Sequence, residues 1–206
     1  FQENQFSGQD RVMDTNAITT ALTTRVIDDS GYDWMLLTMG QRFYLSDRKV
    51  LEEDRYASSS YKGDESDFLV SAQANLTKSL KLTSDYEYNF SEDTTNKFTA
   101  SGRFTPEPGK VLNASYRMVL NPSSGIYDVK QYLVSGQWPL SSGWSALGSF
   151  NYDIYERQDI ESMVGAEYDA GCWSAQMMFH SLQLATTEKS TDTFFLMLEI
   201  GDLGSF

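Results

Sequence analysis

Residues 80–90, "LKLTSDYEYNF", sort into two sets by parity. Leu80, Leu82, Ser84, Tyr86, Tyr88 and Phe90 form one set; Lys81, Thr83, Asp85, Glu87 and Asn89 form the other. A helix would mix these sets, whereas a strand puts them on opposite faces. "KFTASGRFT" (97–105) repeats the division, and so does "VLNASYRMVL" (111–120). In the run 144–154, Trp144, Ala146, Gly148, Phe150, Tyr152 and Ile154 oppose Ser145, Ser149, Asn151 and Asp153. About eleven such runs are expected, near 16–28, 34–45, 67–78, 80–90, 96–105, 110–120, 127–138, 143–156, 160–169, 172–185 and 192–201. Most are about ten residues long, which suits a tilted strand crossing a bilayer and exceeds the usual strand of a soluble sheet. No stretch reads as an amphipathic helix, and no linker divides the chain. "PEPGK" (106–110), "NPSSG" (121–125) and "SSG" (141–143) carry turn residues.

The content of the apolar face separates a membrane sheet from a soluble one. It holds small residues, Ala72, Ala74, Ala100, Gly102 and Gly148. Aromatic residues stand towards the run ends: Tyr88 and Phe90, Trp138, Trp144 and Tyr152, Trp173 and Phe179. Aromatic belts around a small or aliphatic middle are the signature of a membrane-spanning β-barrel. A mean hydropathy of −0.42 agrees with this, because lipid-facing and lumen-facing residues average out. A net charge of −13 argues against nucleic acid, which needs a basic stripe to neutralise phosphates.

The connections also alternate. "SGYD", "KSLK", "TPEPGK", "PLSSG" and "DAGC" are tight, whereas "SDRKVLEEDRYASSSYKGDESD" is long and "SEDTTN", "NPSSGIYD", "YERQDIE" and "TTEKSTD" are moderate. Short periplasmic turns and longer external loops follow the barrel rule, which puts Cys172 on the periplasmic side, where disulfides form. An odd strand count, and edges whose backbone groups lipid would leave unsatisfied, imply a portion of a larger barrel.

Four segments carry a family resemblance. "FSGQDRVMDTNAITTALTTRVID" (6–28) resembles the F-S-G-x-D-R-x-x-D-x-N segment of the lipopolysaccharide-assembly outer-membrane family LptD, also called OstA or Imp. "GQRFYLSDRKV" (40–50) resembles the strand and loop that follow it. "AEYDAGCW" (166–173) resembles the family's E-Y-x-x-C-C-W stretch, and "FFLMLEIGDLGSF" (194–206) its last strand. The resemblance implies an all-β, antiparallel up-and-down transmembrane barrel of about 26 strands, of which residues 1–206 would be a C-terminal portion as a single domain. In the family a short tail follows the last strand, which implies that the natural chain continues past Phe206; a terminal aromatic is also the usual last residue of such a barrel, so Phe206 as the natural end is the alternative.

The implied role is a Gram-negative outer-membrane lipopolysaccharide translocon. It would insert its substrate into the outer leaflet through a lateral gate. The last strand, with Phe194, Phe195, Leu196, Met197, Leu198, Glu199 and Ile200, would form one lip of that gate. The implied partners are lipopolysaccharide, outer-membrane lipid, an LptE-like plug lipoprotein, and periplasmic bridge proteins reached through an N-terminal domain outside this chain. A passive porin is the alternative reading of such a barrel.

In the family a C-C pair bonds to cysteines of the N-terminal region. This chain has Gly171-Cys172, so the resemblance implies one such bridge at Cys172, and an unpaired packed thiol is the alternative. Arg48, Lys49 and Arg55 are candidates for touching lipopolysaccharide phosphates from an otherwise solvated external loop. Lys81, Asp85, Glu87, Arg103, Arg117 and Lys130 are expected to line and solvate the lumen. The single histidine, His180, shares a face with Ser174 and Gln176 and reads as a lumen or rim residue. One histidine with no ligands at metal spacing, no placed triad and no phosphate loop implies no metal, no cofactor and no enzyme.

Overall fold

The computed structural model describes residues 16–46, 64–121, 124–183 and 190–201. Eleven antiparallel strands run through them: β1 (Ala17–Ile27), β2 (Asp33–Tyr44), β3 (Phe68–Asn75), β4 (Leu80–Asn89), β5 (Thr94–Phe104), β6 (Val111–Asn121), β7 (Ile126–Ser141), β8 (Trp144–Asp153), β9 (Gln158–Asp169), β10 (Trp173–Gln183) and β11 (Ser190–Ile200). They form one sheet in strict sequence order, β1 to β11, with every neighbour joined up-and-down. This is the expected all-β fold of a barrel portion. β1 and β11 stand at the two ends of that order.

Among the described residues no apolar side chain is buried; the buried ones are Arg42, Asn89 and Asn96. A water-soluble domain covers the apolar face of a sheet with a second layer. Here Leu22, Val134, Val164, Leu196 and Leu198 stand open, which is the arrangement lipid requires. No described helix is long and apolar enough to cross a membrane, a statement that leaves crossing by strands untouched.

By contacts the chain divides into two compact units. The first takes Phe1–Ala74, Thr83–Thr99 and Met118–Asp128. In it Leu22 pairs with Met39, Met39 with Val70, and Leu37 with Ala72, giving one apolar face. The other face is polar. The Thr23 and Thr38 hydroxyls lie 3.2 Å apart, Arg42 Nε donates to Thr19 Oγ1 at 3.0 Å, and Arg25 pairs with Asp33. The β1–β2 turn is locked by Asp28, whose Oδ1 accepts from the Ser30 hydroxyl and from the amides of Ser30 and Tyr32. Those donors, led by the Ser30 hydroxyl, hold the Asp28 carboxyl below its ordinary pKa.

The second unit takes Asn75–Leu82, Ala100–Arg117 and Val129–Phe206. Its apolar face shows the expected belts. Trp144, Tyr168 and Trp173 pack together at the short-turn end, with centroids 5.0 and 5.5 Å apart. Tyr132 and Tyr152 stack at 5.3 Å near the opposite end. Between them lies the row Gly136–Gly148–Val164–Phe179–Phe194. Phe179, expected near a strand end, is therefore at mid-strand, in a β10 that runs from Trp173 to Gln183.

The β7–β8 hairpin closes on Ser142 and Gly143, both at positive φ, the turn that matches the twist of adjoining strands. Gly165 answers to a different constraint. A Cβ there would lie 2.5 Å from the Met177 carbonyl oxygen and 2.8 Å from Met178 Cγ. Gly165→Ala should push β9 from β10 and destabilise the protein by about 1–3 kcal/mol. Gly148→Ala, whose new methyl would meet only the Met163 oxygen at 3.7 Å, should cost nothing. A chemical unfolding midpoint for each variant of the full-length protein checks the contrast.

Candidate functional site

Four groups of residues bear on function: the polar face, the turn at Cys172, the β11 edge, and a polar knot at the start of β3. On β4, Lys81, Asp85 and Glu87 alternate away from Leu82 and Tyr86. Ser71 donates to Asp85 at 2.8 Å, and Lys97 Nζ lies 3.1 Å from Glu87 Oε1. Arg103 alternates with Gly102, the residue that Leu82 packs against, so Lys81 and Arg103 share the face opposite Leu82. Arg117 lies on the same side of β6 as Asn113, whose amide reaches Ser135 at 3.3 Å.

Lys130 does not join this set. β7 runs without a register shift through residues 131–138, so Lys130 stands on the face of Tyr132 and Val134, the apolar one. Its parity thus differs from that of the other residues expected to line the lumen. The physical reason is position: at the end of a strand a long lysine stem can lie along apolar surface while its head reaches polar surroundings. Arg48, Lys49 and Arg55 lie outside the described residues.

His180 sits with Ser174 and Gln176 on the polar face, its Nε2 2.7 Å from Glu161 Oε1. That face also holds an apolar patch, in which Phe195 and Met197 of the expected gate strand are joined by residues the sequence reading passed over. Leu147, Gly165, Met178 and Phe195 form one cross-strand row, with Met163 and Met197 flanking it. The signal lay in "FFLMLEI", where both parities are apolar.

β11 is bonded to β10 from Gln183–Ser190 to Trp173–Ile200, and its other edge has no partner among the described residues. Phe194, Leu196, Leu198 and Ile200 project on one face; Phe195, Met197 and Glu199 project on the other. All seven are exposed, Leu196 by 68%. A strand apolar on both faces with an open edge is a template for pairing.

Cys172 lies in the turn before β10, beside Gly171 at positive φ, with its thiol exposed. Its carbonyl accepts from the Gly201 amide at 2.9 Å, so the turn is fastened to the end of β11. The knot, also passed over, centres on Asp67. Asp67 accepts from Asn89 at 2.9 Å and from Asn96 at 2.7 Å. No group of three or more His, Cys, Asp or Glu could hold a metal ion among the described residues.

Comparison with known proteins identifies the family. The model of the family LptD, "LPS transport system D", matches residues 1–144. The LPS-assembly protein LptD of Chromobacterium violaceum is 36% identical over 211 residues, covering 100% of this chain and 26% of the relative. That of Azoarcus sp. is 34% identical over 209 residues, covering 100% of this chain and 25% of its own length. That of Thiobacillus denitrificans is 30% identical over 206 residues, 99% of this chain and 27% of its own. The chain thus spans about a quarter of the length of the relatives it matches. The family is one of transport proteins, not enzymes. With a family match over most of its length and an all-strand, up-and-down sheet, this chain belongs to the LptD family.

Proposed function

We propose that residues 1–206 are the C-terminal portion of an LptD-type barrel in the Gram-negative outer membrane, and that the barrel inserts lipopolysaccharide into the outer leaflet through a seam bounded by β11. One observation carries this reading: β11 is apolar on both faces and, among the described residues, open along one edge. In hydrocarbon an unpaired edge costs several kcal/mol for each unsatisfied group, so it must pair with a strand from the rest of the longer protein. A seam between two such strands opens by exchanging strand pairing for contact with a passing lipid. Its apolar side chains suit both states.

In this reading Lys81, Asp85, Glu87, Arg103 and Arg117 offer a hydrated route for sugars, and the patch around Met178 and Phe195 gives an LptE-like plug lipoprotein an apolar foothold. Periplasmic bridge proteins would deliver the substrate through the part of the protein outside this chain. A disulfide between β11 and the strand across the seam is the test: export should stop.

Cys172 fits the reading as one half of a bridge to the periplasmic part, since an exposed thiol in a short turn is reachable from outside the barrel. A bridge spanning hundreds of residues could contribute a few kcal/mol in the chain-entropy account. Non-reducing mass spectrometry of the full-length protein from outer membranes should find the Cys172 peptide joined to an N-terminal cysteine. A free thiol would remove the bridge and leave the seam untouched.

A further inference from the structure

The apolar face of the second unit contains a groove of about 570 Å³, within the range of ligand-binding clefts. Gly148 forms its floor. Val134 and Phe150 border it towards one strand end, Trp138 towards the other, and Val164 stands at its side.

The glycine is the informative residue. Gly165 is small because β10 crosses close to it, and Gly136 because Leu112 Cδ2 would lie 2.7 Å from a Cβ. Gly148 has no such neighbour: a Cβ would meet only the Met163 oxygen at 3.7 Å, and its φ is not positive. Glycine inside a strand costs about 0.5–1 kcal/mol and often marks the close approach of a ligand. Nothing described in this chain fills the space above it.

The end of the groove near Trp138 carries charge. Lys110 Nζ lies 5.4 Å from the Trp138 ring centroid and 2.7 Å from Glu107 Oε2. A cation and an anion side by side complement a head group that carries both signs. A polyanionic glycolipid would bring no amine for Glu107, and the net charge of −13 does not favour an anionic lipid.

We propose that this groove holds one acyl chain of a zwitterionic aminophospholipid, with its phosphate at Lys110 and its ammonium at Glu107. The inference rests on the membrane-spanning reading of the sheet. It adds a site for a lipid that is not the transported one. In its natural place the lipid would pack the wall on the short-turn, periplasmic side, centred on Gly148 of β8, three strands from β11, with Phe179 of β10 at the near border.

The test uses the full-length protein in vesicles and a phosphatidylethanolamine bearing a diazirine midway along one acyl chain. After photolysis and peptide mapping, adducts on Val134–Trp138 and Ala146–Phe150 should exceed those on Phe194, Leu196 and Leu198 several-fold. Gly148→Leu should bring the groove signal down to the β11 level. A phosphatidylglycerol probe of the same design should label the groove more weakly, and Glu107→Gln should erase that difference. Even labelling of both regions by the wild type would overturn the site without recourse to any variant. Equal labelling by the two probes would overturn the head-group assignment. No labelling at either region would instead refute the membrane reading beneath it.

Discussion

A cysteine at Met197 or Thr193 of β11, oxidised to one in the strand across the seam, should abolish delivery of lipopolysaccharide to the cell surface, and reduction should restore it. Both positions lie on the face of β11 that carries Phe195 and Glu199, and Met197 is 55% exposed. A disulfide needs Cα atoms about 4.4–6.8 Å apart, a separation found between directly paired strands, so it forms only when the seam is shut. The block would therefore report opening rather than loss of a side chain. A second pair makes the control. Ala175 and Leu198 are already register partners in β10 and β11, and linking Ala175→Cys to Leu198→Cys ties strands that need not part. Export should survive that link. If both links stop export, the strand is merely intolerant of cross-links; if neither does, β11 is not a gate lip. The readout is surface lipopolysaccharide accessibility with and without reductant.

The strand plan was legible because lipid and lumen demand opposite chemistry at alternate residues. Every expected run became a strand, in order. Strand ends were less legible, since hydrogen bonding continues after the apolar alternation fades. β5 begins at Thr94, so the "SEDTTN" connection contracts to 90–93, with Asp93 at positive φ. β7 runs beyond Trp138 through Pro139 to Ser141, leaving only Ser142 and Gly143 for the turn. These extensions shrink most of the moderate loops to about the size of the short ones. The connection 45–67 then carries most of the distinction between the two ends of the sheet.

Site residues were legible where parity decided them. Asp85, Glu87 and Arg117 alternate with apolar neighbours on their strands, whereas Lys130, chosen by charge, has the parity of Tyr132 and Val134. Phe195 and Met197 were expected at the gate, yet parity alone could not show that Met178 and Met163 extend the same patch over two more strands. That needs the register. The Asp67 knot needed it too: Asp67, Asn89 and Asn96 are distant in sequence and polar, and nothing in their local pattern joins them.

Asp67→Ala should weaken the ends of β3, β4 and β5 by about 2–4 kcal/mol, the cost of leaving two buried amides without an acceptor. Asn89 and Asn96 are the most enclosed side chains described, 6% and 5% exposed, and each gives its amide to a different oxygen of Asp67. Their own oxygens are already engaged. Asn89 Oδ1 accepts from the Glu92 amide at 2.9 Å, and Asn96 Oδ1 accepts from Thr94 at 3.2 Å. Turning over to satisfy the stranded N–H groups would cost Asn89 its bond to the 90–93 turn and Asn96 its bond from Thr94. Asp67→Asn should lose about half as much, because one acceptor oxygen survives while the other site becomes a donor facing a donor. Asp85→Ala makes the contrast. Its partner Ser71 is exposed, water replaces the lost bond, and the change should stay within about 0.5 kcal/mol. Hydrogen exchange on the full-length protein separates these outcomes. In Asp67→Ala the amides of Glu92 and its neighbours should exchange about one to three decades faster, following the tenfold change per 1.4 kcal/mol, while β8–β10 amides keep their protection. Uniform acceleration along all strands would mean that Asp67 supports the whole sheet. Unchanged exchange at Glu92 would mean that the knot is bypassed by solvent.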